Sequence, residues 1–171
     1  MRAPRTALAL LAVLASASAA HGADLTVITE DSGAIVGTVH VAAAPDVARA
    51  RVTDPFWVAR VSNTGTSATA AGQDGDCALI DYTSDHTIAS IEFRVRQCLT
   101  DDGSAAVLVE SSAFSMYAAS WAVAPEGDGS LLRYRLELVS TLPVPGAIIR
   151  SSGRRSVTKM LTSIEAALAN E

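Results

Sequence analysis

The sequence predicts an α+β domain in which a curved antiparallel sheet of about six to seven strands wraps around one long C-terminal helix, with two short helices after the first strand. Two observations predict this fold. Residues 61–141 consist almost wholly of strand-like segments separated by turns, and residues 147–170 carry an apolar stripe at helical spacing. A helix of about 25 residues spans roughly 37 Å, which is long enough to cross a sheet. The strands are the only partner large enough to bury its stripe.

The first 23 residues have the organisation of a secretory signal peptide. Arg2 and Arg5 precede an uncharged run rich in Ala and Leu, and small residues follow that run. A membrane anchor is the alternative, but the run is shorter than the ~20 residues needed to span a bilayer. We therefore expect residues 1–23 to be removed and residues 24–171 to form a single domain, periplasmic or secreted, without a stable membrane anchor.

The segments between the leader and the final helix follow one another in a simple order. Residues 24–33 are a lead-in strand or arm, and residues 34–41 are β-branched and predict a strand. Pro45 and the Asp54-Pro55 pair are typical of helix starts, so two short helices come next. Six strands then alternate with Gly- and Asp-rich turns, at residues 64–71, 76–83, 90–100, 105–111, 114–124 and 130–141.

The two cysteines predict a disulfide and fix a strand register. If Cys77 lies opposite Cys98 in a hairpin, Asp81 falls opposite Arg94 and Tyr82 opposite Phe93, and such charge and aromatic pairs stabilise neighbouring strands. An exported protein retains disulfides, and this one closes a loop whose restriction is worth ~3 kcal/mol. A redox-active pair is the alternative, but CxxC spacing is absent.

The closing helix buries one stripe and has small residues in its first half. The stripe consists of Ile149, Gly153, Val157, Met160, Ile164 and Leu168. Ser152, Gly153 and Ser156 lie on or beside the stripe, where they indicate either close packing against the sheet or volume spared for a ligand. Four basic residues, Arg150, Arg154, Arg155 and Lys159, lie on other faces, and we interpret them as a solvated surface.

Five local patterns, in this order, resemble the START-related helix-grip superfamily, which includes polyketide cyclases and aromatases, ubiquinone-binding proteins and lipid-transfer domains. They are Val39-His-Val-Ala-Ala-Ala-Pro45, Val52-Thr-Asp-Pro55, Ser120-Trp-Ala-Val-Ala-Pro125, Gly129-Ser-Leu-Leu-Arg-Tyr-Arg-Leu136 and Leu142-Pro-Val-Pro145. The resemblance covers roughly residues 35–168. It implies a helix-grip fold with a cavity between sheet and helix, and it does not select among binding, transfer and catalysis.

Catalytic and metal-binding signatures are scarce. The sequence lacks a GxSxG elbow, an HExxH pair, a phosphate-cradling glycine loop and cysteine-based metal spacing. His40 and His86 are the only histidines after the leader, and neither belongs to a recognisable catalytic arrangement. We therefore expect no catalytic residue, no metal and no cofactor. The formal net charge of −5, without a basic run, also argues against a nucleic-acid partner and against anionic lipid surfaces.

The candidate ligand-binding residues are mainly apolar and aromatic. They are Trp57, Tyr82, Phe93, Val95, Glu110, Tyr134, Leu136, Gly153, Met160 and Ile164. Each of the apolar residues is also compatible with ordinary core packing. Glu110 is the polar exception, and it either orients a ligand as a buried carboxylate or simply faces water or pairs with Arg133 or Arg135.

Three functions follow from this reading. The first is an exported monomeric protein that carries a hydrophobic small molecule, lipid or isoprenoid-like, between sheet and helix. The second is an enzyme similar to polyketide cyclases or aromatases. The third is a domain with a filled interior that binds another protein. The scarcity of histidine and the leader favour the first, which needs only apolar burial.

Overall fold

The computed structural model describes residues 24–85 and 90–170 and confirms the predicted α+β arrangement. The leader, with its predicted cleavage, and His86 lie outside the described residues. The elements are β1 (Thr26–Thr29), β2 (Ile35–Val41), α1 (Pro45–Val52), α2 (Pro55–Val61), β3 (Thr66–Asp74), β4 (Cys77–Asp85), β5 (Ser90–Leu99), β6 (Gly103–Ser111), β7 (Phe114–Glu126), β8 (Gly129–Ser140) and α3 (Gly146–Leu168).

The strands form one antiparallel sheet in the order β1-β2-β8-β7-β6-β5-β4-β3. Within the described residues the sheet has eight strands, one more than the upper end of the predicted number, because the lead-in segment pairs with β2 as a four-residue edge strand. Gly33, at φ 87°, lies in the turn between these two strands. A residue with a side chain would be strained in this left-handed conformation.

The predicted register of the β4–β5 hairpin is confirmed. Ile80 lies opposite Val95 and Tyr82 opposite Phe93, as the cysteine pairing requires. Cys77 and Cys98 form the disulfide, with their Cα atoms 4.4 Å apart. On the outer face of this hairpin, Asp81 accepts two hydrogen bonds from Arg94, at 2.7 and 2.9 Å.

The two short helices begin where the sequence predicts. Pro45 and Pro55 each occupy the first turn, where a missing N–H leaves no helical hydrogen bond unmade. Asp54 caps α2, because its Oδ1 accepts hydrogen bonds from the backbone N–H groups of Phe56 and Trp57. The side chain of Trp57 is thereby turned into the core, where it is buried.

α3 packs against β1, β2 and α2 on the inner face of the sheet, which we define as the face turned toward this helix. Its buried residues are Val157, Leu161, Ile164 and Leu168. The predicted stripe omitted Leu161, which lies four residues after Val157 on the same side of the helix. A Cβ on Gly37 of β2 would overlap Leu161 and come within 2.8 Å of Val157, so glycine allows the helix to approach the strand.

Candidate functional site

The inner face divides into two halves that differ in packing. The packed half lies under α3, where Ile35 and Val39 of β2 and Leu132 of β8 are almost completely buried together with the apolar residues of the helix. The aromatic half lies on β4 to β8, where four large rings of the same face stay partly exposed. Large apolar groups that face inward without being fully covered present a surface on which an apolar ligand can pack.

The aromatic half contains two neighbouring groups of rings, four that are partly exposed and two that are buried. This aromatic cluster consists of Tyr82, Phe93, Phe114, Tyr117, Trp121 and Tyr134. Phe93 is at its centre, with ring centroids 5.3 Å from Tyr82, 5.4 Å from Phe114 and 5.1 Å from Tyr117. Trp121 and Tyr134 form a second pair at 4.6 Å, across β7 and β8. These separations are those of favourable aromatic contacts.

Small side chains lie between the rings. Ala119 of β7 is opposite Ala106 of β6 on one side and Leu136 of β8 on the other. It shares the inner face with Tyr117 and Trp121, because side chains two residues apart point the same way. Ala106 and Ala119 are both half-buried. A short side chain at this central position spares volume that a larger one would fill.

All three tyrosines of the chain belong to the cluster, and all three resist ionisation. Burial raises the pKa of Tyr134 to about 12 and raises the pKa of Tyr82 and Tyr117 above the ordinary value for a phenol. The neighbouring hydroxyl groups of Tyr117 and Tyr134 interact, which raises the pKa of Tyr117 further and partly offsets the effect of burial on the pKa of Tyr134.

The hydroxyl group of Tyr82 has no protein partner within the described residues. Its side chain is half-buried, and burial raises the pKa of the phenol. Tyr82 therefore presents a protonated phenol in an apolar environment, suited to donate a hydrogen bond to an oxygen atom.

The structure brings together part of the predicted site. Tyr82, Phe93 and Tyr134 belong to the aromatic cluster. Four other predicted residues are tightly packed core on the inner face or under it, and these are Trp57, Val95, Leu136 and Ile164. Met160 is half-buried against the same core.

Gly153 lies where α3 and β2 approach each other. A Cβ at this position would be 2.6 Å from Cδ1 of Ile35, which is closer than side chains tolerate. The small residues of α3 were explained either by close packing against the sheet or by volume spared for a ligand. The geometry at Gly153 supports close packing.

Glu110 lies outside the group that the structure assembles. It is exposed on β6 opposite Arg94, whose side chain pairs with Asp81 on the outer face. The expected alternative partners of Glu110 were Arg133 and Arg135, but both of these lie near Glu30, at 3.7 and 3.3 Å. Glu110 is therefore not included in the candidate site.

The sequence reading missed half of the cluster, namely Phe114, Tyr117 and Trp121. The signal was present in β7, where Tyr117, Trp121 and Val123 recur at even spacing and so share one face. The strand had been located, but its inward side had not been assigned.

The described residues contain no group of three or more His, Cys, Asp or Glu side chains that could hold a metal ion. In the same part of the chain, no helix is both long and apolar enough to cross a membrane. His40, the described histidine, forms a hydrogen bond through Nε2 with the carbonyl oxygen of Glu126, at 3.1 Å, so its side chain connects β2 to the β7–β8 turn.

The fold of this chain is that of several solved structures. A START superfamily protein from Mycobacterium smegmatis superimposes with a TM-score of 0.71 at 18% identity, covering 80% of this chain and 97% of that one. The Zhui aromatase/cyclase from a Streptomyces species gives 0.65 at 13%, covering 80% and 91%. A STAR-related lipid transfer protein from Xanthomonas axonopodis gives 0.58 at 11%, covering 84% and 98%. No family model and no curated protein sequence matches the chain.

Proposed function

Because the chain has the START-like helix-grip fold, we propose that it binds and carries one hydrophobic small molecule, lipid or isoprenoid-like, between the sheet and α3. The observation that carries this proposal is the aromatic cluster, in which the rings of four residues face inward and yet remain partly exposed, namely Tyr82, Phe93, Phe114 and Tyr117. An interior that is filled by its own side chains would bury such rings, as the packed half of the inner face does.

Apolar burial supplies the affinity in this proposal. Each CH₂ group removed from water contributes about 0.8 kcal/mol, so a chain of modest length binds without any catalytic group. The hydroxyl group of Tyr82 orients the ligand, because an uncharged phenol in an apolar environment favours a ligand oxygen that accepts a hydrogen bond. The preferred ligand is therefore mostly hydrocarbon with a carbonyl, hydroxyl or carboxyl group at one end.

The direct test is native mass spectrometry of the protein purified without detergent. We expect a mass above that of the polypeptide, which disappears after extraction with organic solvent and returns when a fluorescent fatty acid analogue is added in a one-to-one ratio. A protein that shows neither a retained molecule nor uptake of the analogue would refute the carrier and favour a domain that only binds other proteins.

The neighbouring phenols of Tyr117 and Tyr134 favour one second candidate, an activity similar to that of an aromatase or cyclase. Neutral phenols can donate a hydrogen bond to the carbonyl oxygen of a folded keto chain and so assist enolisation. Incubation with a synthetic polyketone distinguishes the two functions. A carrier returns the compound unchanged, whereas an enzyme yields a dehydrated, cyclised product at a rate that falls in Tyr134→Phe.

We also propose that the protein works outside the cytoplasm. The signal-like leader and the Cys77–Cys98 disulfide support this location, because disulfides persist in oxidising compartments. The mass of the protein recovered from the periplasm or medium should correspond to a chain that starts near Ala23 or Asp24, with two hydrogens fewer than the reduced form. A chain that retains Met1 would contradict export by cleavage.

A further inference from the structure

A second surface, independent of the inner face, lies along the first half of α3. There α3 and the end of β1 border an open groove of about 690 Å³. Its lining, which we call the basic groove, consists of Thr29, Ala147, Arg150, Ser151, Arg154, Arg155, Thr158 and Lys159. The sequence alone suggested that its cations were a solvated helix face. The fold instead gathers them around one concave surface.

The basic groove has a charge opposite to that of the whole chain. It contains four of the 13 Lys and Arg residues of a protein whose formal net charge is −5, and no carboxylate belongs to its lining. Glu30, which follows Thr29, lies beside Arg133 and Arg135 instead. The guanidinium group of Arg154 is held in place by a 3.0 Å hydrogen bond from Nη2 to the carbonyl oxygen of Val27.

Exposed apolar side chains adjoin the groove at the start of the helix. Leu142 and Val144 belong to the segment that leads into α3, and Ile148 is in its first turn with 56% of its surface exposed. Pro143 and Pro145 restrict the backbone of this segment. The result is a stiff apolar tip directly followed by cations, the combination by which helices bind at a lipid–water interface.

We propose that this surface docks the protein reversibly on an anionic lipid bilayer, with the basic groove against the headgroups and Ile148 at the acyl boundary. Charge complementarity selects this partner, because the cations are exposed along an open groove instead of enclosing a single small anion. The apolar tip would have no function toward a free anion. The proposal goes beyond the carrier function and requires no bound ligand, so each can fail without the other.

Co-sedimentation with vesicles tests the docking surface. We expect the protein to bind vesicles that contain phosphatidylglycerol and not vesicles of phosphatidylcholine alone, and to be released by salt. The double variant Arg155→Gln/Lys159→Gln should partition about 30-fold more weakly. Arg49→Gln/Arg60→Gln removes the same charge from exposed positions on α1 and α2 and should bind like wild type. Equal losses of vesicle binding in both variants would mean that only the net charge of the protein matters, and this result would overturn the proposal.

The apolar tip is tested separately. Ile148→Asn should weaken vesicle binding about tenfold, because the half-exposed side chain can no longer be buried in the membrane. Leu99→Asn is the matched control, since Leu99 is exposed on β5, three strands away from β8. Unchanged vesicle binding by Ile148→Asn would contradict the insertion of this side chain into the membrane. Saturable binding of inorganic phosphate, together with no binding to phosphatidylglycerol vesicles, would show that the groove binds a soluble anion and would overturn the proposal that it docks on a bilayer.

Discussion

Both halves of the inner face combine small residues with large apolar side chains, but the large side chains are packed differently in the two halves. In the packed half, Gly37 and Gly153 bring α3 against β2, and the large side chains around them are completely buried. In the aromatic half, Ala119 lies between Tyr117 and Trp121 and opposite another small residue, Ala106, and the ring of Tyr117 stays partly exposed. A small residue can therefore have two opposite effects. Where a helix packs into the space that it leaves, the interior becomes denser, and where no element does so, the space stays available to a ligand.

The largest effect on stability is expected from the packed half. Leu161 of α3 is completely buried against Gly37 of β2. Leu161→Ala should therefore lower the free energy of unfolding by about 3 kcal/mol, because apolar burial is lost and a cavity is left behind. Phe114→Leu, in the half-exposed cluster, should cost about 1 kcal/mol. Chemical denaturation measures both values. Equal costs would mean that the two halves are packed alike.

The disulfide is expected to stabilise the part of the sheet farthest from α3. The contacts of this helix are concentrated at β1, β2 and α2, so the β4–β5 hairpin depends more on its own link between Cys77 and Cys98. Cys77→Ser/Cys98→Ser should lower the free energy of unfolding by about 3 kcal/mol. Hydrogen exchange should report the increase in opening mainly in β3 to β5. A uniform increase across β2 and β8 would contradict this division of the sheet.

High pH should destabilise the protein through the aromatic half. The pKa of Tyr134 is about 12 in the folded state and about 10 in the unfolded chain. Protons therefore leave the unfolded state first, and stability falls as pH rises from about 10 toward 12. Denaturation midpoints at increasing pH, compared with Tyr134→Phe, test this dependence. The variant should lose less stability over that range, and an identical slope would exclude Tyr134 as a cause.

The smallest effect on stability is expected at Tyr82. Its hydroxyl group has no protein partner among the described residues, so Tyr82→Phe should leave the free energy of unfolding nearly unchanged. It should nevertheless weaken binding of a fatty acid analogue about fivefold, the value of one uncharged hydrogen bond. Binding of a plain hydrocarbon probe is the control and should not change. Equal affinity for the analogue would show that the Tyr82 hydroxyl does not contact the ligand.

The sequence predicted the fold well because local signals agreed with one another. The pairing of Asp81 with Arg94 follows from placing Cys77 opposite Cys98, and the structure has this register. The aromatic cluster was predicted only in part. Glu110 was chosen for its charge, and alternation from Ala106 along β6 would turn it inward, but a bulge between its pairing with Arg94 and that of Leu108 with Val95 turns it outward. Which strand face points inward depends on contacts between distant segments.

The distribution of charge over the surface was also not predictable from the composition. The net charge of −5 argues against nucleic acid and anionic lipid surfaces, yet four cations spaced along one helix border a groove that no carboxylate lines. Net charge averages over surfaces that a partner never touches. The approach of β1 to α3, which creates the groove, could not be located from composition.

Filling the centre of the aromatic half tests most directly whether the interior is open to a ligand. Ala119→Phe places a ring on the inner face, between Tyr117 and Trp121, whereas Ala118→Phe places the same ring on the outer face. Uptake of a fluorescent fatty acid analogue is measured for both variants and for wild type, each first shown to be folded by circular dichroism. We expect wild type and Ala118→Phe to bind equally and Ala119→Phe to bind at least about tenfold more weakly. Undiminished uptake by folded Ala119→Phe would contradict a ligand site in the aromatic half.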